Sequence, residues 1–376
     1  MKDMFCFQCQ QTAHNTGCEG KAGVCGKKAD TANYQDEIIS ALIGLSRAAR
    51  NGRPTETTDA LVEKALFTTI TNVNFNNSTV KAVKTEVEKE KGRISQEKFE
   101  DYPMEKIWDG NADIRSLKSL ILFGLKGMAA YAYHARILGK TCREVSEFFY
   151  EGLYHLGEDE PQDVLLPLVL KTGAVNLKCM ELLDKANTDA YGDPMPTVVP
   201  LTIEKGPFIV VSGHDLHDMK LLLEQTDGKG VNIYTHSEML PAHGYPELKK
   251  HPQLKGNFGT GWQNQQSEFH NIPAPILFTT NCLMPLRESY ADRVFTTSVV
   301  SYPEVVHIGE DKDFTPVIKK AIECGGYDEP KEMTGMNGGH QVTTGFAHEA
   351  VLSHAEKLIG LIKAGKIRHI FLIGGC

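Results

Sequence analysis

Apolar side chains recur at helical spacing through the first half of the chain, from residue 28 to about residue 188. Ile38, Leu42 and Leu45 share one face of a predicted helix, and Asp30 with Thr31 is the predicted cap at its start. Further helices are predicted from Thr58, around Val80, Val83 and Val87, and over the runs 114–138 and 165–183. Successive helices with short connections indicate helical bundles.

The pattern changes at the linker-like stretch 191–196, which is rich in glycine and proline. Beyond it, short β-rich runs alternate with helical runs, which predicts an α/β region with a mostly parallel sheet. Strands are predicted at 208–211, 231–234, 275–280, 305–308 and 367–373, and helices at 215–225 and 347–364. The predicted organisation is an N-terminal cysteine loop at 1–27, a helical bundle at 28–190 and an α/β region at 191–376.

Charge and composition are typical of a mildly acidic globular protein. The 376 residues carry a formal net charge of −8, which argues against a nucleic-acid surface because such a surface needs a basic patch. No run reaches the roughly eighteen apolar residues of a membrane-spanning helix. Nine cysteines without an apolar signal at the start are typical of a reducing compartment. We therefore expect a cytoplasmic protein that binds neither membrane nor nucleic acid.

The most informative motif is C-x2-C-x8-C-x6-C, formed by the four cysteines Cys6, Cys9, Cys18 and Cys25. A disulfide framework is one interpretation, but it suits small secreted domains. Structural zinc is a second, but it usually takes its cysteines as two close pairs, and only the first pair here is close. Iron–sulfur clusters accept such irregular spacing, so the motif favours an iron–sulfur cluster while the other two interpretations stay open.

Three other cysteines are expected to be structural. Cys142 and Cys179 lie on predicted helices and are interpreted as small buried hydrophobic residues. Cys324 precedes two glycines and is expected to end a helix.

Possible metal ligands follow four of the predicted strands, and they are His214, Glu238 (with His236 two residues before it), Cys282 and Cys376. In open α/β sheets, ligands bind beyond the carboxyl ends of the strands, so one location would serve all four residues. Imidazole, carboxylate and thiolate together suit iron with both oxygen and sulfur ligands. Each residue alone also has an ordinary interpretation as a loop, surface or core residue, and only the shared location favours a site.

These residues lie in segments that closely resemble the hybrid cluster proteins, which are also called prismane proteins or hydroxylamine reductases. The resemblance runs from the first residues to the last, and its most specific part is the block from GHDL to HGYP. The matching segments are MFCFQCQQTAHNTGC, GHDLHDMKLLLEQTDGKGVNIYTHSEMLPAHGYP, FTTNCLMP, DRVFTTSVV, TTGFAHEAVLSHA and FLIGGC.

The resemblance implies an α/β multidomain fold in which an N-terminal helical-bundle domain is followed by Rossmann-like α/β domains, related to nickel carbon monoxide dehydrogenases. It implies a 4Fe-4S cluster held by Cys6, Cys9, Cys18 and Cys25. It also implies a hybrid 4Fe-2S-2O cluster, and onto its ligands map His214, Glu238, Cys282 and Cys376, the last as a persulfide. His214 and Glu238 are the implied catalytic residues.

The implied activity is the reduction of small nitrogen species, either hydroxylamine to ammonia and water or nitric oxide to nitrous oxide. The implied partners are this small-molecule substrate and an electron-donor protein. Asp215 is a candidate to orient the ring of His214, although helix capping is the ordinary role of such an aspartate. His236 is a weaker candidate, for proton delivery.

The chain departs from the family's pattern at its end. Family members continue beyond the FLIGGC segment and supply two further cysteines, a glutamate and a lysine there. We therefore expect a piece of a longer protein with an incomplete third domain, since a chain end at Cys376 would place a charged carboxylate in a buried site. Two alternatives stay open for these 376 residues, namely a single-cluster electron-transfer or redox-sensing module without turnover and a zinc-stabilised structural protein.

Overall fold

The protein is described by a computed structural model that covers residues 3–9, 11–95, 97, 99–280 and 283–371. The chain folds into two compact units, and both units are discontinuous in sequence. The first comprises Met1–Ala186, Leu283–Pro285 and Thr296–His307, and the second comprises Asn187–Cys282, Leu286–Phe295 and Ile308–Cys376. The domain boundaries expected at residues 27 and 190 stay a prediction.

Helices build most of the first unit, as the apolar periodicity predicts. Before the first helix, the short strands β1 (Met4–Cys6) and β2 (Cys18–Gly20) pair in antiparallel fashion. The helices are α1 (Ala29–Asn51), α2 (Glu56–Thr68), α3 (Asn77–Ile94), α4 (Glu105–Trp108), α5 (Ala112–Ile137), α6 (Arg143–Leu156) and α7 (Gln162–Tyr191), the last of which continues past the unit boundary at Ala186. Ile38, Leu42 and Leu45 are fully buried and share one core with Val80 and Val87, so their helical spacing reports a real packing face.

The start of α1 differs from the prediction. The cap predicted at Asp30 and Thr31 is wrong, because the helix begins at Ala29 with Lys28 in the N-cap position. The Ala29 amide donates to the carbonyl oxygen of Lys21 at 2.9 Å. The turn before the helix therefore satisfies this amide, and the helix starts earlier than the sequence pattern indicates.

Two of the cysteines outside the N-terminal motif belong to this helical core. Cys179 is fully buried, and its thiol donates to the Met128 carbonyl oxygen at 3.4 Å. Cys142 is half-buried and packs against the same core. Their predicted role as small hydrophobic residues agrees with this packing.

Strands and helices alternate in the second unit, which confirms the predicted α/β class. The strands are β3 (Thr197–Pro200), β4 (Thr202–Ile203), β5 (Phe208–Ser212), β6 (Asn232–His236), β7 (Leu254–Asn257), β8 (Ile276–Phe278), β9 (Val294–Thr297), β10 (Val306–Ile308), β11 (Lys331–Glu332) and β12 (Gln341–Thr344), of which β9 and β10 each contain a unit boundary. The helices are α8 (Leu216–Thr226), α9 (Pro246–Lys249), α10 (Gln265–Glu268), α11 (Thr315–Cys324), α12 (His348–Leu352) and α13 (Ala355–Lys363). Cys324 ends α11, as predicted.

The main sheet has the strand order β10–β9–β8–β5–β6–β7. Strand β5 pairs in parallel with β6 on one side and with β8 on the other, and β6 pairs in parallel with β7. All residues of β5 are buried, as expected when both faces of a parallel sheet are covered. The chain runs outward from β5 through β6 and β7 and then crosses to β8, so the strand order reverses beside β5. Ligands bind at such switch points.

The last predicted elements differ from the structure. The helix predicted at 347–364 is divided into α12 and α13 by a turn at Ser353 and His354. The strand predicted at 367–373 does not form over its described part, 367–371, where Ile370 and Phe371 are 79% and 83% exposed. A strand is unstable without a paired neighbour, and these side chains face solvent instead. In the part of the chain that the structure describes, no helix is long and apolar enough to cross a membrane.

Candidate functional site

The four N-terminal cysteines are brought together by the β1–β2 hairpin and the turn after it. Cys6 and Cys18 are Cα partners across the hairpin. Paired residues of an antiparallel hairpin project to the same face, so these two side chains point the same way. Cys9 lies in the loop between the strands, and Cys25 lies in the turn between β2 and α1.

Glycines shape the turn around Cys25. The Gly26 amide donates to the carbonyl oxygen of Gly23 at 2.9 Å. Gly26 has a φ of +79°, and a Cβ atom there would lie 2.3 Å from the Cγ atom of Pro285. Only glycine therefore fits this position without strain. A Cβ atom at Gly23 would touch the Cys25 sulfur at 3.6 Å and the Cys18 Cβ atom at 3.7 Å, which shows how closely the turn approaches the hairpin.

All four cysteines of the motif line one small cavity. Cys18 and Cys25 are buried, whereas Cys6 and Cys9 are half-buried. All four are free thiols, so the structure gives no support to the disulfide interpretation. The Val24 amide donates to the Cys18 sulfur at 3.5 Å, an interaction that stabilises a thiolate.

Burial and a nearby positive charge act in opposite directions on the pKa of Cys25. Burial raises the pKa of the Cys25 thiol, and the positive charge of Lys27 opposes that rise. Thiolates gathered in a small cavity repel one another, and a metal centre removes that repulsion. In the described part of the chain, no group of three or more His, Cys, Asp or Glu side chains is arranged to hold a metal ion. The donor set fits an iron–sulfur cluster nonetheless, because such a cluster distributes its cysteine ligands over several irons and the thiols need not meet at one ion.

A second group of predicted site residues lies at the carboxyl edge of the sheet. His214 follows β5 and Glu238 follows β6, and the two strands are parallel neighbours. The Nε2 atom of His214 lies 3.7 Å from the Oε2 atom of Glu238, and their side chains are 33% and 22% exposed. The two side chains are therefore close enough to contact the same bound group and exposed enough for that group to reach them. Cys282 and Cys376 lie outside the described residues, so their place in this group stays a prediction.

The loop that carries His214 is fixed by two threonines that follow β8. The His214 amide donates to the Thr280 hydroxyl at 2.9 Å, and the Asp215 amide donates to the Thr279 hydroxyl at 3.3 Å. Gly213 has a φ of +107°, and a Cβ atom there would lie 2.5 Å from Thr280 Oγ1 and 2.6 Å from Thr279 Oγ1. Glycine is therefore required for the loop to approach the threonines this closely.

Asp215 caps helix α8. Its Oδ1 atom accepts the amides of His217 and Asp218 at 3.0 Å each. A cap of this kind stabilises a helix by about 1 kcal/mol. The structure thus gives Asp215 the capping role that was the ordinary interpretation of its sequence position. Because Asp215 directly follows His214, the cap also fixes the backbone next to His214.

The chain turns sharply before Glu238. Ser237 has a φ of +56°, a left-handed conformation that is uncommon for residues other than glycine. It begins the 3-10 helix Ser237–Gly244, which leads the chain away from β6. Left-handed backbone at a non-glycine residue costs about 1–3 kcal/mol and tends to be retained at functional sites.

His236, at the end of β6, is fully buried and hydrogen-bonded at both ring nitrogens. Its Nδ1 atom lies 2.9 Å from the Ser212 hydroxyl, and its Nε2 atom lies 3.3 Å from Oε2 of Glu268. Burial alone would raise the pKa of Glu268, but hydrogen bonds from His236 and Thr260 hold that pKa below its usual range. Sequence reasoning missed Ser212 and Glu268. The pairing of β5 with β6 was a signal for Ser212, whereas no local pattern points to Glu268.

A helical unit with a four-cysteine cavity, followed by an α/β unit with a histidine and a carboxylate at its sheet edge, defines an iron–sulfur oxidoreductase. The chain belongs to the Prismane/CO dehydrogenase family, whose model matches residues 4–376. It is 49% identical over 405 residues to a protein named hydroxylamine reductase from Thermodesulfovibrio yellowstonii, and 47% identical over 407 residues to one from Solidesulfovibrio magneticus. Each comparison covers 99% of this chain and 73% of the relative.

The comparisons confirm the resemblance to the prismane family, and the relatives support an oxidoreductase. Among solved structures, the chain is similar to a nickel-free carbon monoxide dehydrogenase from Thermococcus sp. AM4, with a TM-score of 0.42 and 16% identity. That similarity covers 96% of this chain and 61% of the other.

Proposed function

We propose that the protein reduces hydroxylamine to ammonia and water, with electrons from a donor protein that enter at the N-terminal cysteines. One hydroxylamine molecule takes up two electrons and two protons as its N–O bond breaks. The relatives named hydroxylamine reductase support this substrate, and the four-cysteine cavity is the observation that carries the redox chemistry. Reduction of nitric oxide to nitrous oxide is a close variant.

Two iron–sulfur groups are part of this proposal. A 4Fe-4S cluster would be held by Cys6, Cys9, Cys18 and Cys25. A hybrid 4Fe-2S-2O cluster would take as ligands His214, Glu238, Cys282 and Cys376, the last as a persulfide. When bound, these groups supply one-electron carriers and a Lewis-acidic iron for the N–O group.

The residues at the sheet edge contribute position and charge. The His214 amide donates a hydrogen bond to the Thr280 hydroxyl, which holds His214 beside β5. The close approach of Gly213 to the threonines restricts the backbone conformation of the same loop. The Glu238 carboxylate is 22% exposed, and its Oε2 atom lies 3.7 Å from the Nε2 atom of His214. His214, whose backbone is held in place, and Glu238 would both be ligands of the hybrid cluster at this edge of the sheet.

The two interpretations of His236 are not equally supported. A proton donor must reach the substrate with one ring nitrogen, but both nitrogens of His236 are engaged by Ser212 and Glu268 inside the protein. Its side chain is fully buried, whereas His214 and Glu238 reach solvent. A structural role for His236 is therefore the stronger of the two.

A single-cluster electron-transfer or redox-sensing module is a second candidate. It is favoured by the position of the four-cysteine motif, which lies within the first unit. Iron and acid-labile sulfide per chain, measured on anaerobically purified protein with its EPR spectrum, separate the candidates. About eight irons and two cluster signals support the reductase, and about four irons with one signal support the module. Colourless protein that contains zinc would support a structural role instead.

Turnover of the Glu238→Ala variant tests the reductase proposal directly. We expect hydroxylamine reduction, assayed with a chemical electron donor, to be abolished while the EPR signal of the N-terminal cluster persists. Glu247→Ala is the matched control, because Glu247 is an exposed carboxylate that pairs with the ammonium group of Lys250 at the surface. Retained turnover in Glu238→Ala would remove this residue from the mechanism.

A further inference from the structure

A second small cavity borders Cys6 from within the first unit. It is lined by Cys6, Asp36 and Trp108, and also by two buried lysines, Lys27 and Lys126. Its volume is about 20 Å³, which has room for roughly one water molecule. A cavity this small does not bind a substrate. The relevant property of this cavity is that two lysine side chains and Cys6 line it together.

Lys126 reaches this cavity from helix α5. Its side chain is buried, and its ammonium group donates to Oε1 of Gln8 at 3.2 Å and to the carbonyl oxygen of Thr69 at 3.4 Å. The side-chain amide of Gln8 donates to the same carbonyl at 3.3 Å. Gln8 lies between Cys6 and Cys9 in sequence, so Lys126 supports the segment that connects these cysteines through its hydrogen bonds to Gln8 and Thr69.

The hydrogen-bond acceptors of Lys126 among the described residues are neutral. A buried cation is costly unless negative charge lies nearby. Burial lowers the pKa of Lys126 to about 8, while the charges of Asp36 and Cys6 act to raise it. The ammonium group of Lys126 lies at the same small cavity as Cys6 and the Asp36 carboxylate.

We propose that Lys126 raises the reduction potential of the cluster that Cys6, Cys9, Cys18 and Cys25 would hold. This inference rests on the proposed 4Fe-4S site. Reduction adds one negative charge at that site, and a fixed positive charge in a poorly solvated surrounding stabilises the reduced form. Lys126 is a positioning residue that acts through its charge and through Gln8, and it makes electron uptake from a donor protein more favourable.

The test is a redox titration of the full chain, purified anaerobically and monitored by the EPR signal that a Cys18→Ser variant lacks. Lys126→Met removes the charge and keeps an apolar stem of similar length. Lys126→Gln removes the charge and keeps a hydrogen-bond donor toward Gln8, and Lys126→Arg keeps the charge. We expect a more negative midpoint potential for the Met and Gln variants and a nearly unchanged one for the Arg variant.

Lys118 offers a matched control on the same helix. It is also buried, and its ammonium group donates to the carbonyl oxygens of Leu156 and Glu158 at 2.9 and 2.8 Å. Lys118→Met therefore removes a buried charge that lines neither cavity, and its midpoint potential is expected to match the wild type.

Several outcomes overturn the inference. The first is an unchanged midpoint potential in Lys126→Met and Lys126→Gln with the cluster present, and the second is an equal shift of the potential in Lys118→Met. The third is a cluster that assembles in the wild type and in Lys126→Arg but not in the Met and Gln variants, because the charge would then be needed for cluster assembly. Wild-type protein that holds no N-terminal cluster would instead overturn the proposed 4Fe-4S site itself. Iron and sulfide analysis before each titration separates these failures.

Discussion

Ser212 and His236 are Cα partners at the ends of two parallel strands, and the Ser212 hydroxyl lies 2.9 Å from the Nδ1 atom of His236. Glu268, from helix α10, lies 3.3 Å from the opposite ring nitrogen. This buried chain of hydrogen bonds connects β5, β6 and α10 directly before the positions of His214 and Glu238.

His236→Asn is expected to destabilise the second unit by about 1–3 kcal/mol, because it leaves buried polar groups of Ser212 and Glu268 without their partner. Turnover per cluster-loaded molecule should stay near that of the wild type. Urea unfolding followed by Trp262 fluorescence in a Trp108→Phe background reports on this unit, since the chain has only these two tryptophans. Unchanged stability with lost turnover would instead assign proton delivery to His236.

Cys18→Ser is expected to lower the iron content by about four atoms per chain, because a hard hydroxyl is a poor ligand for iron–sulfur clusters. Iron and sulfide analysis with EPR measures the loss. Cys142→Ser is the control, because Cys142 packs against the helical core and does not line the four-cysteine cavity. Equal iron content in the Cys18→Ser variant and the wild type would exclude Cys18 as a ligand.

Gly213→Ala is expected to destabilise the second unit by about 1–3 kcal/mol more than Gly206→Ala. Both glycines have a positive φ, +107° and +102°, so both variants carry backbone strain. Only at Gly213 does the added Cβ atom meet the hydroxyls of Thr279 and Thr280 at 2.6 and 2.5 Å, because the space at Gly206 is open. The difference between their urea-unfolding midpoints measures this crowding, and equal midpoints would contradict it.

His243 is expected to make the second unit acid-sensitive. Burial lowers its pKa to about 4, while its Nε2 atom lies 3.1 Å from the Gly256 carbonyl oxygen. Between the unfolded pKa near 6.5 and the folded pKa, the unfolded chain binds more protons than the folded chain. Stability therefore falls as the pH is lowered through this window, by at most about 3 kcal/mol.

The His243→Gln variant measures this contribution by urea unfolding between pH 4 and 7.5. Its stability should depend less steeply on pH than that of the wild type. His270→Gln, at an exposed histidine, should keep the wild-type slope. A slope that is the same in all three proteins would show that another group causes the acid sensitivity.

The fold class could be predicted because period and burial agree. Val80, Val83 and Val87 are all buried on α3, and the apolar run of β5 is buried along its whole length. The β1–β2 hairpin could not be predicted, because strands of three residues show no measurable period. The strand expected over 367–371 failed for another reason, since an apolar run does not specify the neighbour with which it must pair.

The candidate site was predictable where topology decides it. Parallel strands end at one edge of a sheet, which is why His214 and Glu238 were expected to be neighbours. Their Nε2 and Oε2 atoms are 3.7 Å apart, and their role as ligands stays a prediction. Contacts that depend on packing were not predictable. Lys126 contacts Gln8 although the two residues are more than one hundred positions apart in sequence. The spacing of apolar residues carries no information about such a long-range contact.

The discontinuous first unit has a consequence for synthesis. The side chains of Asn72 and Asn74 donate to the carbonyl oxygens of Leu283 and Val299, and Pro285 borders the turn that holds Cys25. These partners are translated long after the helices. The first unit cannot be completed before its last segment, which ends at His307, has emerged from the ribosome. At typical elongation rates this delay is on the order of ten seconds, during which the N-terminal cysteines belong to an incompletely folded unit.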